Sequence, residues 1–160
     1  MQRNKPPWLK VRAPGGERYT WIKHQARELG LHTVCEEAHC PNIGECWSSG
    51  TATFMVMGGI CTRACRFCAV TTRKRGMPLD LDEPVKLGTS IREMGLDYVV
   101  VASVARDDLP DQGAGHFAAC IRQVRRQSPK TMVEVLIPDF CGRRDLLDIV
   151  VDARPDVIAH

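Results

Sequence analysis

Tyr98-Val99-Val100-Val101-Ala102-Ser103 decides the fold class. A compact β-branched run of this kind is the pattern of a strand buried on both faces, as strands of parallel sheets are. Just upstream, Leu87, Ile91 and Met94 step by three and four residues and stop at Gly95, so a helix delivers the chain into the strand. Downstream, Phe117, Ile121 and Val124 mark a second helix, ended by Ser128-Pro129. Met132 to Ile137 reads as another strand, Leu146 to Val150 as another helix, and Asp156 to Ala159 begins one more strand. Upstream of all these, Thr51 to Gly58 is a short buried strand. Alternation of strand and helix calls for right-handed crossovers and a parallel α/β sheet. These strands and crossovers amount to roughly half of a TIM-like parallel βα barrel. The sequence stops at His160, inside a strand, and a half barrel leaves a bare sheet edge. The chain therefore reads as a fragment of a longer protein, or as one that another chain completes.

Toward the amino terminus, Met1 to Gly16 holds Pro6, Pro7, Pro14, Gly15 and Gly16 and reads as an extended arm. Tyr19, Ile22, Ala26 and Leu29 form one helix face over Glu17 to Leu29, with Gly30 as its stop. Cys35 to Gly50 is polar and loop-like. Two units are expected: residues 1–50 as arm, helix and cysteine-rich segment, and residues 51–160 as the first half of the barrel.

Composition excludes several function classes. The charge of +3 comes from 22 basic and 19 acidic residues scattered along the chain, with no basic stripe for nucleic acid. No apolar run is long enough to cross a bilayer, and Met1 to Arg12 contains no secretory h-region. A cytoplasmic, reducing setting is expected, which matters because the chain has eight cysteines. Six fall between Cys35 and Cys68 in two groups of three, and odd-numbered groups suit metal centres better than disulfides.

The sharper group is Cys61-Thr62-Arg63-Ala64-Cys65-Arg66-Phe67-Cys68. Three thiolates in one tight loop can hold three irons of a cubane and leave the fourth open to a small molecule. Arg63 and Arg66 are placed to favour ionised sulfur and offset the cluster's charge. Structural zinc wants four protein ligands, usually from paired Cys-x2-Cys hooks, and this spacing does not provide them. The other group, Cys35, Cys40 and Cys46, is spaced Cys-x4-Cys-x5-Cys. His39 could complete a zinc site there.

Cys-x3-Cys-x2-Cys with an aromatic before the last cysteine resembles the radical S-adenosylmethionine superfamily. Val34-Cys35-Glu36-Glu37-Ala38 with Cys40-Pro41-Asn42 is similar to the auxiliary-cluster motif of lipoyl synthases, as are Gly50 to Met55 and Asp82-Glu83-Pro84-Val85. The likeness runs from about Trp8 to the end of the chain. It implies two [4Fe-4S] clusters and S-adenosyl-L-methionine, which chelates the open iron and on reduction yields a 5′-deoxyadenosyl radical. It also implies insertion of two sulfur atoms into an octanoyl chain on a lysine of a lipoyl carrier, the auxiliary cluster supplying the sulfur. Implied partners are a glycine cleavage H protein or a 2-oxoacid dehydrogenase E2 subunit, and an electron donor such as ferredoxin or flavodoxin. A truncated iron–sulfur or zinc-binding fragment without turnover is the alternative.

The same resemblance directs attention to residues near the cofactor. Phe67 matches the aromatic position whose backbone lies near the adenine in such enzymes; its plain reading is core packing, and the two are compatible. Arg106, Asp107 and Asp108 follow the Tyr98–Ser103 strand, where working residues of βα barrels lie, although polar loops are common. The family usually has aspartate in place of Ala105 and glycine in place of Gln112. Glu134 stands in an otherwise apolar strand and needs a partner or a polar cavity, so cofactor contact and a salt bridge both remain open. Asp139 could instead cap a helix. Cys120 lies on the apolar side of its helix and reads as a buried free thiol; Cys141 lies outside both groups. The family's Arg-Ser-Ser motif, source of the auxiliary cluster's fourth ligand, is not in this sequence; Ser48-Ser49 follows Trp47 and is not it.

Overall fold

The computed structural model describes Pro6 and residues 13–160. The expected arm therefore lies mostly outside the described residues. Helix α1 (Glu17–Glu28) buries Ile22 and Ala26, and Gly30 turns the chain at a φ of 65°.

Four parallel strands form the frame: β2 (Thr51–Val56), β5 (Tyr98–Ser103), β6 (Met132–Leu136) and β7 (Val157–Ala159). They neighbour one another in chain order, without the reversal that makes a doubly wound sheet. Helices α4 (Glu83–Met94), α5 (Ala114–Gln127) and α6 (Arg144–Asp152) provide the crossovers. Among the described residues the sheet is not closed on itself: this is a partial parallel βα barrel, as the alternation predicted.

The crossovers start and stop where elementary chemistry requires. Pro84 sits in the first turn of α4, where a missing N–H costs nothing, and Gly95 ends the helix in the left-handed region at φ 56°. Leu87 and Ile91 of α4 and Phe117, Ile121 and Val124 of α5 are all fully buried. Helix α5 packs on both α4 and α6.

Register shows which sheet face these helices cover. Ala52, Phe54, Val99, Val101, Val133 and Val135 share one face and are buried. The other face carries Thr53, Tyr98, Val100 and Glu134, all half-buried. Ala102 and its partner Met55 on that face are buried. The expected burial of Tyr98–Ser103 on both faces is thus corrected to full burial of Val99 and Val101 on one face and only partial burial of Tyr98 and Val100 on the other. A β-branched run reports compatibility with a second covering layer, not its presence.

Two further corrections concern short elements. Cys35 to Gly50 is not a loop but contains α2 (Val34–Glu37) and α3 (Ile43–Ser48). Both are too brief to show a helical period. They hold because Thr33 Oγ1 caps α2 by accepting from the Glu36 N–H at 3.2 Å, and because Trp47 is fully buried with its ring 5.2 Å from that of Tyr19. Ahead of them β1 (His32–Thr33) pairs antiparallel with β2 and covers that edge of the sheet.

Candidate functional site

Strand β2 ends at Val56, and Met57 and Gly58 then take left-handed φ values of 70° and 84°. That turn leads into β3 (Ile60–Cys61), which pairs in parallel with β4 (Thr71–Thr72). Cys61, Cys65 and Cys68 thus follow the carboxyl end of a barrel strand, where such folds place their chemistry. Cys61 is half-buried, and its Sγ accepts from the backbone N–H of Ala105 at 3.3 Å and of Arg63 at 3.4 Å. Ala105 belongs to the segment after β5, so the second strand end supports the first. Cys65 and Cys68 are exposed and joined by a backbone hydrogen bond of 3.0 Å.

Arg63 does not spend its charge on the three sulfurs. Its guanidinium forks onto Asp107, with Nε–Oδ2 at 2.8 Å and Nη2–Oδ1 at 2.6 Å, and reaches Asp139 Oδ2 at 2.7 Å. Nη2 also lies 3.4 Å from Cys141 Sγ. One side chain from the cysteine loop therefore ties together the loops after β2, β5 and β6. Hydrogen bonds from Arg63, then from the Cys141 N–H, hold the Asp139 carboxyl down to about 2. The Asp107 carboxyl is likewise held below its ordinary range, chiefly by Arg63. Asp139 also caps the 3-10 turn Phe140–Gly142 by accepting from the Cys141 N–H at 2.8 Å, so the capping expectation is met.

Arg106 and Asp108 form a second clamp. Arg106 is 3% exposed and pairs with Asp108 through Nε at 2.8 Å and Nη2 at 3.0 Å. Asp108 Oδ2 in turn accepts from the Gly76 N–H at 3.2 Å. A Cβ at Gly76 would lie 2.3 Å from Arg106 Nε, so glycine is what lets the chain cross over the guanidinium. An ordinary solvated loop is ruled out for Arg106, although its Nη1 is buried without a hydrogen-bond partner among the described residues.

Glu134 accepts from the hydroxyl of Tyr98 on the neighbouring strand rather than from a base. That contact, with desolvation next, raises the Tyr98 hydroxyl above its usual value. Phe67 is 93% exposed, which removes core packing as its role. Cys120 is fully buried as expected, and desolvation, with the Glu83 charge second, pushes its thiol up. Cys141 is exposed, and the His160 ring lies 3.0 Å from the Ile137 carbonyl.

Of the other cysteine trio, Cys35 lies in α2, Cys46 in α3 and Cys40 in the connection between them. Cys35 is buried, Cys40 and Cys46 are half-buried, and the Cys40 N–H donates to the Cys35 carbonyl at 3.0 Å. Burial pushes the Cys46 thiol up, and the nearby Cys35 and Cys40 add to the effect. Thr33 lies opposite Phe54 in an antiparallel pair, so the chain leaves β1 along the sheet edge and toward the amino end of β2. Among the described residues no hydrogen bond joins the two trios.

All eight cysteines are free. Among the described residues only Glu83, His116 and Cys120 bring three ligand atoms within 4.8 Å of one another. Neither cysteine trio, with or without His39, is gathered to that degree around a single ion. A cluster assigns each thiolate to a different iron and needs wider spacing. Three soft sulfurs of one loop, one of them (Cys61) accepting two backbone N–H groups, fit an iron–sulfur cluster better than zinc.

Sequence reasoning missed two arrangements here. The fork from Arg63 to Asp107 and Asp139 joins residues far apart in the chain and left no pattern to read. The Glu83–His116 contact had a partial signal, since His116 shares with Cys120 the apolar side of α5.

Comparison with known proteins agrees with this donor set. Residues 1–40 match the N-terminal domain of lipoyl synthase of the radical SAM family, and residues 55–160 match the radical SAM superfamily. A lipoyl synthase of Halobacterium salinarum is 60% identical over 163 aligned residues, covering 99% of this chain and 52% of that protein. That of Methanocella arvoryzae is 58% identical over 98% of this chain and 53% of its own length. For that of an Anaeromyxobacter species the values are 56%, 100% and 54%. The chain spans about half the length of the curated relatives it matches. Cysteine spacing, placement at the carboxyl end of β2 and a family match over residues 55–160 agree: the chain belongs to the radical SAM superfamily.

Proposed function

We propose that this chain is the amino-terminal part of a lipoyl synthase, a sulfurtransferase that inserts two sulfur atoms into an octanoyl group on a lipoyl carrier. The observation that carries the reading is a cysteine trio at the carboxyl end of β2, preceded by a second trio at residues 35–46, in a chain so similar to lipoyl synthases. Superfamily membership implies an iron–sulfur cluster and S-adenosyl-L-methionine. Cys61, Cys65 and Cys68 would hold that cluster, and Cys35, Cys40 and Cys46 a second one. A cluster with an open iron supplies, when bound and reduced, the electron that cleaves S-adenosylmethionine.

The remaining work belongs to the chain's own side chains. Residues 51–160 act as the radical core and residues 1–50 as the auxiliary segment. Phe67, exposed beside Cys68, places its backbone where an adenine could bind. Arg106 and Asp108 hold the loop after β5, and Asp107 fixes Arg63 against it. Glu134 presents a carboxylate on the half-open sheet face, where a cofactor hydroxyl or amine could replace the Tyr98 hydroxyl. Partners under this reading are an octanoylated H protein or E2 domain and a ferredoxin or flavodoxin. A cytoplasmic setting follows from the need to keep free thiols reduced.

The test is anaerobic reconstitution followed by reduction with S-adenosylmethionine present. About eight irons per chain and release of 5′-deoxyadenosine are expected, with octanoylated carrier raising the release. Iron uptake without 5′-deoxyadenosine would establish a cluster-binding fragment without turnover. No iron, or two zincs, would sink the proposal.

A further inference from the structure

A buried acid–imidazole contact lies behind the cysteine loop, outside the site described so far. Glu83, in the first turn of α4, is 6% exposed, and His116 of α5 is 9% exposed. His116 Nε2 lies 2.6 Å from Glu83 Oε2. The same carboxylate oxygen accepts from the backbone N–H of Met57 at 2.9 Å. Met57 is the residue that turns β2 into the cysteine loop, at a φ of 70° that costs a non-glycine residue of order 1 kcal/mol or more. Its side chain is held too: a Cβ on Gly113, at the start of α5, would lie 2.2 Å from Met57 Sδ.

We infer that Glu83 and His116 are positioning residues, which fix the Met57 turn and thereby the placement of Cys61 against the Ala105 N–H. The inference rests on the iron–sulfur reading of Cys61, Cys65 and Cys68. Its physical chain is short. A strained turn persists only where its surroundings over-determine it, and here one carboxylate and one glycine pocket do so. Four residues later Cys61 Sγ accepts the N–H of Ala105 at 3.3 Å, a bond between two strand ends that a small shift of the turn would lengthen. Hydrogen bonds to cluster sulfurs stabilise the more negative, reduced state, so weakening that bond lowers the potential. Glu83 and His116 also converge with Cys120, as a metal site would. The 2.6 Å contact, however, directs the imidazole nitrogen at the carboxylate rather than at a shared ion, and Cys120 stays a neutral buried thiol.

Two substitutions in the full chain separate positioning from stability. Glu83→Gln keeps an oxygen that can accept from both Met57 and His116. Glu83→Asp keeps the charge but is one methylene too short to reach both. In the metal-free protein the Met57 amide should exchange slowly in the wild type and in Glu83→Gln, and at least tenfold faster in Glu83→Asp. After reconstitution in a Cys40→Ala background, which leaves the Cys61 trio as the one complete set, a redox titration followed by electron paramagnetic resonance reads the cluster. Glu83→Asp should shift the midpoint to lower potential, and Glu83→Gln should stay with the wild type. Unchanged exchange and potential in Glu83→Asp would overturn the inference. Should Glu83→Asp fail to fold, the pair Glu83→Met with His116→Leu replaces it: acid and imidazole go together, so neither is left buried alone, and the Met57 N–H is the one donor left unpaired, at a cost of about 1–3 kcal/mol. That variant must show the same lowered potential, and a wild-type value refutes the positioning role. A wild-type chain that binds no iron refutes the cluster reading instead, while slow exchange at Met57 would still stand.

Discussion

Arg63 ties the loops after three strand ends together, and its share of the stability can be measured. Replacing it with alanine removes the fork onto Asp107, at 2.8 and 2.6 Å, and the single contact to Asp139. A hydrogen bond to a charged partner contributes about 1.5–3 kcal/mol when buried. The Arg63 and Asp107 side chains are 28% and 35% exposed, which screens the fork toward the 0.2–1 kcal/mol typical of surface pairs. Two parallel bonds in good geometry lie between these limits, at about 1–2 kcal/mol. For a chain of 160 residues that is a fall in Tm of about 2–8 °C. The assay is a double-mutant cycle on the metal-free chain: Arg63→Ala, Asp107→Ala and both together, followed by denaturant unfolding. A coupling of about 1–2 kcal/mol is expected. Arg63→Lys should recover less than half of it, because an ammonium cannot make the fork. Coupling below about 0.5 kcal/mol, the range of simple additivity, would refute the reasoning and reduce the fork to a surface contact.

Lowering pH should release the Asp139 arm of this network late. Its carboxyl is depressed from 3.8 to about 2, so its stabilising effect is fully present above about pH 3.8 and lost as pH falls through 2; carboxyl chemical shifts at low pH check this. Phe117→Ala should cost about 3–5 kcal/mol in denaturant unfolding, because Phe117 is fully buried between the helices and the sheet. Cys120→Ala should leave iron content after reconstitution unchanged, and the native Cys120 thiol should resist alkylation until the protein unfolds, since burial keeps it neutral.

Sequence alone determined the order of the crossovers. Gly95 and Ser128-Pro129 punctuate α4 and α5, and the apolar steps at Leu87, Ile91, Phe117, Ile121 and Val124 are long enough to show a period. It also determined the six-cysteine pattern, because ligand spacing within a loop is a local property. Tertiary structure decided what spacing cannot encode. Arg63 stands 44 residues from Asp107 and 76 from Asp139, and only the parallel alignment of strand ends brings them together. Helix α3, of six residues, exists because Trp47 is buried against Tyr19, and α2, of four, because Thr33 caps it as the chain leaves β1; both are too short to persist alone. Whether a face of β5 is covered depends on which layers pack against it. A run of valines states only that covering would be favourable, and the layer itself must come from elsewhere in the chain.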